Sequence, residues 1–347
     1  MKTCVIVPTI RKFDGWHKYS DNFRKNGNKY DLLIVGEEDN TNKDTMPEGE
    51  FWGLREREKW FSDHGVEQFT DLIPKKAHAE TSFGLLVAFE RNEYDMIIFI
   101  DDDTLPFGDA DFIGAHWKNL ESKPMFLKSS NGWLNAIDPF QNKHYPRGYP
   151  YKCRAPSQVQ SVDGDGFVVV NQGLWQNVPD FNAVDYLHWG SRDLCKPCDF
   201  AAANGNWLTV CSMNLAFRPE IIPAFYQLPM RENGVDRFDD IWSGVFLKKA
   251  ADVLGHVITT GNPMCVHNKF TRNIFDDIRA EVIGLEINEN LFGALERINL
   301  EHKTYLENYE QIARQLDSAP FGKQREYVEF LKSKMLRWTE LVKKIAA

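Results

Sequence analysis

The sequence lacks the glycine-rich loops that mark two large classes of nucleotide-binding enzyme. No Gly-x-Gly-x-x-Gly follows the first apolar stretch, which disfavours a Rossmann-type dinucleotide site, and there is no Walker-type phosphate loop. The sequence also has no apolar run of membrane-spanning length, no internal repeat and no low-complexity segment. We therefore expect no membrane insertion, and a bound nucleotide would have to be held by other chemistry.

The sequence also lacks an excess of positive charge and a second paired cysteine motif. The formal net charge is -9 over 347 residues, so the surface as a whole does not attract nucleic acid. Cys195 and Cys198 form one Cys-x-x-Cys pair, and no second pair completes a zinc site. Because Pro8 breaks the N-terminal apolar stretch too early for a signal peptide, we expect a cytoplasmic protein with reduced thiols.

The most informative stretch that is present is an apolar run ending in three acids. Met96–Ile100 predicts a strand buried on both faces, and Asp101, Asp102 and Asp103 follow it directly. Open α/β sheets bind ligands at the carboxyl ends of their strands. Three adjacent carboxylates repel one another, and Mn²⁺ or Mg²⁺ would offset that repulsion. The alternative is a solvated acidic turn.

Strand and helix patterns alternate along most of the chain, which predicts an α/β sheet. A helix is predicted over residues 82–91 and another from residue 237 to 251. Apolar stripes at four-three spacing predict two C-terminal helices, over 291–316 and 327–345. Further strands are predicted at residues 4–7, 32–35, 125–128, 167–170, 208–211 and 257–259.

Polar residues follow the first two predicted strands. Thr9 and Arg11 could meet a nucleotide with a hydroxyl and a guanidinium fork, and Asp39 could accept hydrogen bonds from a ribose or base. Each of the three could equally be an ordinary loop residue. Lys76, in a short basic stretch before the helix over 82–91, adds local positive charge.

The later part of the chain holds a second set of candidates. Asp239 and Asp240 open a helix, where acids either stabilise the helix N-terminus or, beside Trp242, bind substrate hydroxyls. His267 follows the last predicted strand and is either a structural histidine or a ligand.

Seven stretches together resemble one known family, the reversibly glycosylated polypeptides, which are the UDP-arabinopyranose mutases of plants and their microbial relatives. They occur in the family's order and span roughly residues 4–270. The stretches are VIVPTIR, FIDDDTLPF, RGYPY, GLWQNVPDFNA with SMNLAF, DRFDDIWSG and VHNK.

The resemblance implies a GT-A-type glycosyltransferase fold, with a Rossmann-like mixed sheet flanked by helices. Residues 1–275 would form this nucleotide-sugar domain and residues 276–347 a C-terminal helical extension. The resemblance further implies a requirement for Mn²⁺ or Mg²⁺, binding of a UDP-sugar and reversible self-glycosylation of an arginine. Arg154 falls where the family is expected to carry that arginine, and Asp163 or Asp165 would orient it.

The resemblance also assigns roles to the candidates. Asp101, Asp103 and His267 would hold the metal, while Asp102 would face the ribose or sugar. Arg154, Asp239 and Asp240 would form the catalytic set. The nucleotide-sugar contacts would come from Thr9, Arg11, Asp39, Lys76, Asp102 and Trp242.

Three functions follow from these assignments. The first is a mutase that interconverts UDP-arabinopyranose and UDP-arabinofuranose. The second is a transferase that passes a sugar to an external acceptor, with an acid of the Asp239–Asp240 pair as base. The third is a non-catalytic UDP-sugar-binding subunit. The C-terminal stripe over 291–316 permits a homo- or hetero-oligomer.

Overall fold

The structure is a computed structural model that describes residues 1–37, 42–141, 143–155, 157–190, 198–269 and 273–347. In these ranges one mixed sheet of eleven strands forms the centre. The strands are β1 Thr3–Thr9, β2 Tyr30–Gly36, β3 Glu50–Trp52, β4 Met96–Ile100, β5 Thr104–Pro106, β6 Phe126–Ser129, β7 Val159–Val162, β8 Phe167–Asn177, β9 Phe200–Ala202, β10 Asn214–Phe217 and β11 His256–His267.

Within the described ranges, helices flank the sheet, and three α-helices follow its last strand in the chain. The α-helices are α1 Trp16–Lys25, α2 Asn42–Thr45, α3 Leu54–Asp63, α4 Thr81–Arg91, α5 Phe112–Leu120, α6 Ala183–Trp189, α7 Asp239–Val253, α8 Ile274–Glu296, α9 Tyr305–Gln315 and α10 Arg325–Ile345. The predicted class, a mixed α/β sheet flanked by helices with helices at the C-terminus, is confirmed.

The strand order is β3-β2-β1-β4-β10-β8-β11-β9-β6-β7, and β5 pairs with β11. The strands β3, β2, β1 and β4 are parallel, whereas β10 runs antiparallel to both β4 and β8. The residues of β1 and β4 are buried on both faces, as continuous apolar runs in a parallel sheet require. Their carboxyl ends therefore bring the loops after Thr9 and Ile100 to one edge of the sheet.

One predicted strand is wrong. Residues 208–211 form no strand, and the strand that lies between β4 and β8 is Asn214–Phe217 instead. Leu208 and Val210 are buried, and the Cys211 backbone N–H donates to the Gln172 side-chain oxygen at 2.6 Å rather than to a strand partner. An apolar run indicates burial but does not by itself indicate a strand, and here the buried residues belong to a loop that passes through the core.

The single helix predicted over 291–316 is two helices. The structure ends α8 at Glu296 and begins α9 at Tyr305. Thr304 caps α9, because its hydroxyl accepts from the Glu307 backbone N–H at 3.2 Å and donates to the Glu307 carboxylate at 2.7 Å. The apolar spacing continues across this break, which is why periodicity alone joined the two helices.

The C-terminal helices α8, α9 and α10 pack against the domain that contains the sheet. Residues of α8, α9 and α10 belong to the same hydrophobic core as residues of β4 and β10. Among the described residues, no helix has the length and apolar character needed to cross a bilayer.

Candidate active site

A cavity of about 360 Å³ opens where the carboxyl ends of β1 and β4 lie side by side. Its wall combines loops that follow these strands with the start of α7 and part of α8. Many of the predicted site residues lie on this wall, namely Thr9, Arg11, Lys76, Asp101, Asp102, Asp103, Asp239, Asp240 and His267.

The middle acid of the triplet, Asp102, is held by the loop that follows β1. The Arg11 guanidinium donates to Asp102 Oδ1 from Nε at 3.0 Å and from Nη2 at 2.5 Å. The Thr9 hydroxyl donates to Asp102 Oδ2 at 2.6 Å. Burial raises the pKa of Asp102, although Arg11 and Thr9 act in the opposite direction. Asp102 therefore orders the β1 loop at the cavity, and its contact with a ribose or sugar stays a prediction.

The third acid, Asp103, faces His267. His267 Nδ1 lies 2.6 Å from the Val178 carbonyl oxygen, and because a carbonyl only accepts, we assign the ring proton to Nδ1. His267 Nε2 then presents a lone pair towards Asp103 Oδ2, 3.7 Å away. Two electron-rich atoms in this arrangement need a proton or a cation between them, and a backbone carbonyl on the other ring nitrogen is common for metal-bound histidine.

The side chains fit a hard divalent cation that takes some of its ligands from the protein and the others from a bound substrate. Among the described residues, no group of three or more His, Cys, Asp or Glu side chains is arranged to hold a metal ion by itself. Mg²⁺ and Mn²⁺ often take only one or two protein carboxylates and complete their shell with phosphate oxygens and water. Asp103, whose Oδ2 also lies 3.8 Å from Arg11 Nη2, and His267 suit this role, and Asp101 is held by another side chain.

That side chain is His78, which reasoning from the sequence missed. His78 Nε2 lies 3.3 Å from Asp101 Oδ1, and His78 Nδ1 lies 3.2 Å from Asp239 Oδ2. Burial lowers the pKa of His78, but Asp239 and Asp101 outweigh it and raise that pKa well above its usual value. The imidazolium thus joins the end of β4 to the start of α7. Its only signal in the sequence was its place in the basic stretch with Lys76.

A second residue that was missed is Arg147, which lines the cavity. Its Nε donates to Asp180 Oδ2 at 2.9 Å, and its Nη2 donates to Asp240 Oδ2 at 3.0 Å. Burial lowers the pKa of Arg147, and the two carboxylates more than reverse this. Arg147 belongs to the RGYPY stretch, so the signal for it was present in the sequence.

Arg154, the predicted acceptor, is not among the residues that line the cavity. Its two terminal nitrogens donate to the two oxygens of Asp185 at 2.7 Å, and its guanidinium carbon lies 3.8 Å from the centre of the Tyr151 ring. Asp163 and Asp165, the predicted partners, are exposed in the turn before β8. This bidentate ion pair and the stacked ring leave the Arg154 side chain only 13% exposed, and the role of Arg154 as the acceptor stays a prediction.

Trp242 also lies away from the cavity, although it was predicted to contact the sugar. It is fully buried within α7, and its Nε1 donates to the Asn288 side-chain oxygen of α8 at 3.0 Å. With no exposed surface, Trp242 packs two helices together and cannot contact a ligand. Asp39 and Cys195 lie outside the described residues.

Comparison with known proteins identifies one family. The family model described as "Reversibly glycosylated polypeptide" matches residues 2–347. The chain is 29% identical to "Probable UDP-arabinopyranose mutase 4" of Arabidopsis thaliana, over 97% of this chain and 89% of that protein. It is 28% identical to "UDP-arabinopyranose mutase 1" of Oryza sativa subsp. japonica, with the same coverage.

Among solved structures the similarity is distant. Glucosyl-3-phosphoglycerate synthase from Mycobacterium tuberculosis, solved with Mn²⁺, UDP and phosphoglyceric acid, aligns with 83% of this chain and 78% of its own. The two chains are 12% identical, with a TM-score of 0.40, which is too low to bear on the chemistry of this site.

Proposed function

The chain belongs to the reversibly glycosylated polypeptide family, and from this premise we propose that it is a UDP-sugar mutase. The proposed reaction interconverts the pyranose and furanose forms of a UDP-pentose, with UDP-arabinose as the first candidate because relatives carry that name. The observation that carries the proposal is the cavity itself, whose wall includes both the acidic end of β4 and Arg147.

The charge of the cavity supports a metal requirement. In the described part of the chain its wall carries nine carboxylates and six lysine or arginine side chains, a formal balance of -3. The balance stays negative even when Glu80 and His78 are both protonated. A diphosphate brings further negative charge, so a divalent cation would have to accompany it. Asp103 and His267 are the residues that we propose for holding Mn²⁺ or Mg²⁺.

When bound, the cation would offset the charge that develops on the departing UDP. In the proposed route, Asp240 takes a proton from Arg147 Nη2. The freed nitrogen bonds to the anomeric carbon as the bond from that carbon to the diphosphate oxygen breaks, and UDP leaves with the electron pair. The sugar ring then opens and closes through a different hydroxyl, and the returning diphosphate displaces the arginine, which recovers its proton. Covalent capture divides one difficult isomerisation into easier steps.

One observation favours a second function, sugar transfer to an external acceptor. The Arg147 guanidinium donates to Asp180, to Asp240 and to the Arg237 carbonyl oxygen, and a fully engaged, charged guanidinium is a poor nucleophile. In this case Arg147 would only orient the sugar, and Asp240 or Asp239 would take the proton of the acceptor hydroxyl.

One incubation separates these functions. The protein is mixed with UDP-arabinopyranose and Mn²⁺, the nucleotide sugars are separated by chromatography, and a peptide spanning both arginines is fragmented in a mass spectrometer. The mutase proposal expects UDP-arabinofuranose and a pentose on Arg147. An unmodified peptide together with glycosylation of an added acceptor would contradict it in favour of transfer.

Matched variants sharpen this test. Arg147→Lys should abolish both the adduct and the furanose product, whereas Arg154→Lys should retain the adduct, because Arg154 lies outside the cavity. An adduct on Arg154 in the wild type would overturn the assignment to Arg147. A chelator should stop turnover in every active variant.

A further inference from the structure

Three charged side chains are buried together at the cavity, and one of them, Glu80, lines its wall. Glu37 follows β2, Arg57 lies on α3, and Glu80 directly precedes α4. Arg57 Nη2 lies 3.5 Å from Glu37 Oε1 and 3.6 Å from Glu80 Oε2, and the side-chain exposures of the three residues are 5% or less. Buried charges at this depth are costly unless they are balanced, so the cluster needs a function or a compensation.

Its charge is balanced if one of the two acids is protonated. Burial raises the pKa of Glu80 to about 8, with Glu37 acting in the same direction and Arg57 against it. The charged groups that face Glu80 are Arg57 from α3 and Glu37 from the end of β2, and its own turn contributes the Ala77 backbone N–H. At pH 7 the raised pKa therefore favours the neutral form of Glu80 beside the pair that Arg57 makes with Glu37.

The two acids hold the turn that precedes α4. Glu37 Oε1 accepts from the Lys76 backbone N–H at 2.8 Å, and Glu80 Oε1 accepts from the Ala77 backbone N–H at 3.1 Å. Lys76 has a φ of 53°, a left-handed conformation that is strained for a lysine and persists only where its surroundings enforce it. His78 follows Ala77 in the chain, and its carbonyl oxygen accepts from the Thr81 hydroxyl at 2.6 Å.

We propose that Glu80, together with Arg57 and Glu37, positions His78 between Asp101 and Asp239. The short turn is fixed through its backbone by the buried cluster, and its only imidazole reaches both acids in the cavity. Glu80 acts through His78 and touches no reacting atom, so it is a positioning residue. The inference rests on the proposed function for its catalytic consequence, but the placement of His78 itself does not.

The test compares Glu80→Ala, Glu80→Gln and His78→Ala in the mutase assay. Glu80→Ala removes the acceptor for Ala77, and we expect a fall in kcat of roughly 10–100-fold, the usual range for residues that orient a catalytic group. Glu80→Gln keeps a neutral acceptor and should restore most of this loss. We expect the wild type to lose activity above about pH 8 as Glu80 ionises, and Glu80→Gln to show no such loss, because a glutamine cannot ionise. Thermal unfolding of each variant identifies any that fail to fold.

A double variant gives the decisive comparison. If Glu80 acts through His78, Glu80→Ala should cost nothing further in a His78→Ala background. If Glu80→Ala lowers kcat by the same factor in the His78→Ala background as in the wild type, the inference is wrong. It is also wrong if Glu80→Gln lowers kcat as much as Glu80→Ala does.

A second readout does not depend on turnover. In protein with ¹⁵N-labelled histidine, the His78 ring signals, assigned by their loss in His78→Ala, should move in Glu80→Ala and stay in place in Glu80→Gln. If the wild type turns over no UDP-sugar, the proposed function fails while this spectrum still decides the positioning of His78. Unchanged signals in a folded Glu80→Ala variant would contradict the inference.

Discussion

Asp103 Oδ2 and His267 Nε2, 3.7 Å apart, are the atoms on which the proposed metal site depends most directly. Asp103→Asn removes the negative charge without changing the shape of the side chain. We expect it to weaken Mn²⁺-dependent binding of UDP by roughly 10–100-fold and to leave the weak, metal-free binding unchanged. Isothermal titration with and without Mn²⁺ measures both quantities.

The control for this experiment is Asp163→Asn, which removes one negative charge from an exposed turn outside the cavity. It should bind UDP as the wild type does. If both variants weaken the Mn²⁺-dependent binding of UDP equally, the weakening results from the change in net charge, and Asp103 holds no metal.

Gly148 controls the loop that carries Arg147. Its φ is 81°, and a Cβ atom at this position would collide with the Ile241 side chain of α7. Gly27 has a similar φ of 67° with open space around it. Both alanine variants should lose about 1–2 kcal/mol from backbone strain, and Gly148→Ala should lose about 1–3 kcal/mol more from overpacking.

Urea unfolding of the two variants measures the difference. Gly148→Ala should also lower activity, because relieving the collision displaces Arg147 from Asp240. Equal destabilisation by both variants would show that Ile241 yields without moving the loop.

The candidate residues illustrate what the sequence could and could not provide. The acids at the end of β4 were predictable, because a buried parallel strand must end at the edge where ligands bind. Arg147 and Arg154 both lie in the RGYPY region, and no local pattern indicates which of them faces the cavity. That choice is made by Asp180, Asp240 and Asp185, which lie far from these arginines in sequence and are brought to them only by folding.

At the scale of elements, the sequence predicted burial more reliably than it predicted conformation. The strand Met96–Ile100 and the helix α4 are confirmed, because their apolar patterns are bounded by clear signals at both ends. The run at 208–211 is buried as expected, but it forms no strand, and the Cys211 backbone N–H donates to the Gln172 side chain. Periodicity indicates which residues are buried, and the apolar residues of the stripe over 291–316 are buried on both sides of the break after α8.

His116 links α5 to the antiparallel half of the sheet. Its Nδ1 accepts from the Asn171 amide at 2.9 Å, so its Nε2 carries the proton and donates to Asn214 Oδ1, also at 2.9 Å. Burial lowers the pKa of His116 to about 4. A histidine with a depressed pKa stabilises the fold fully above its ordinary pKa, near 6.5, and this contribution is lost as the pH falls towards 4.

We therefore expect the free energy of unfolding to fall by up to about 3 kcal/mol over this range because of His116 alone. Urea unfolding at pH 7 and pH 5 measures the loss. His116→Gln should be less stable at pH 7 but should show a smaller decrease on acidification than the wild type. Parallel pH profiles for the two proteins would mean that His116 does not titrate with unfolding.

At the scale of the whole molecule, the C-terminal helices continue the core of the sheet domain. The ring of Trp338 on α10 stacks on Tyr226 with centroids 4.8 Å apart, and its Nε1 donates to the Pro223 carbonyl oxygen at 3.3 Å. Glu281 on α8 accepts from Arg237 at 2.7 Å beside the cavity. The predicted boundary at residue 275 coincides with the start of α8, yet the residues on either side share one core and one cavity.

This continuity predicts that residues 1–324 do not fold without α10. The helix buries Tyr327, Leu331, Met335, Trp338 and Val342 in the common core, and each large apolar side chain contributes about 1.5–3 kcal/mol by burial. Their sum is on the order of 10 kcal/mol, comparable with the whole stability of a typical domain, about 5–15 kcal/mol. Deleting only residues 346–347, both exposed, should leave cooperative thermal unfolding intact. If the protein truncated at residue 324 remains soluble and unfolds cooperatively, α10 is an appendage. A helix outside the core can be removed without exposing the core to water.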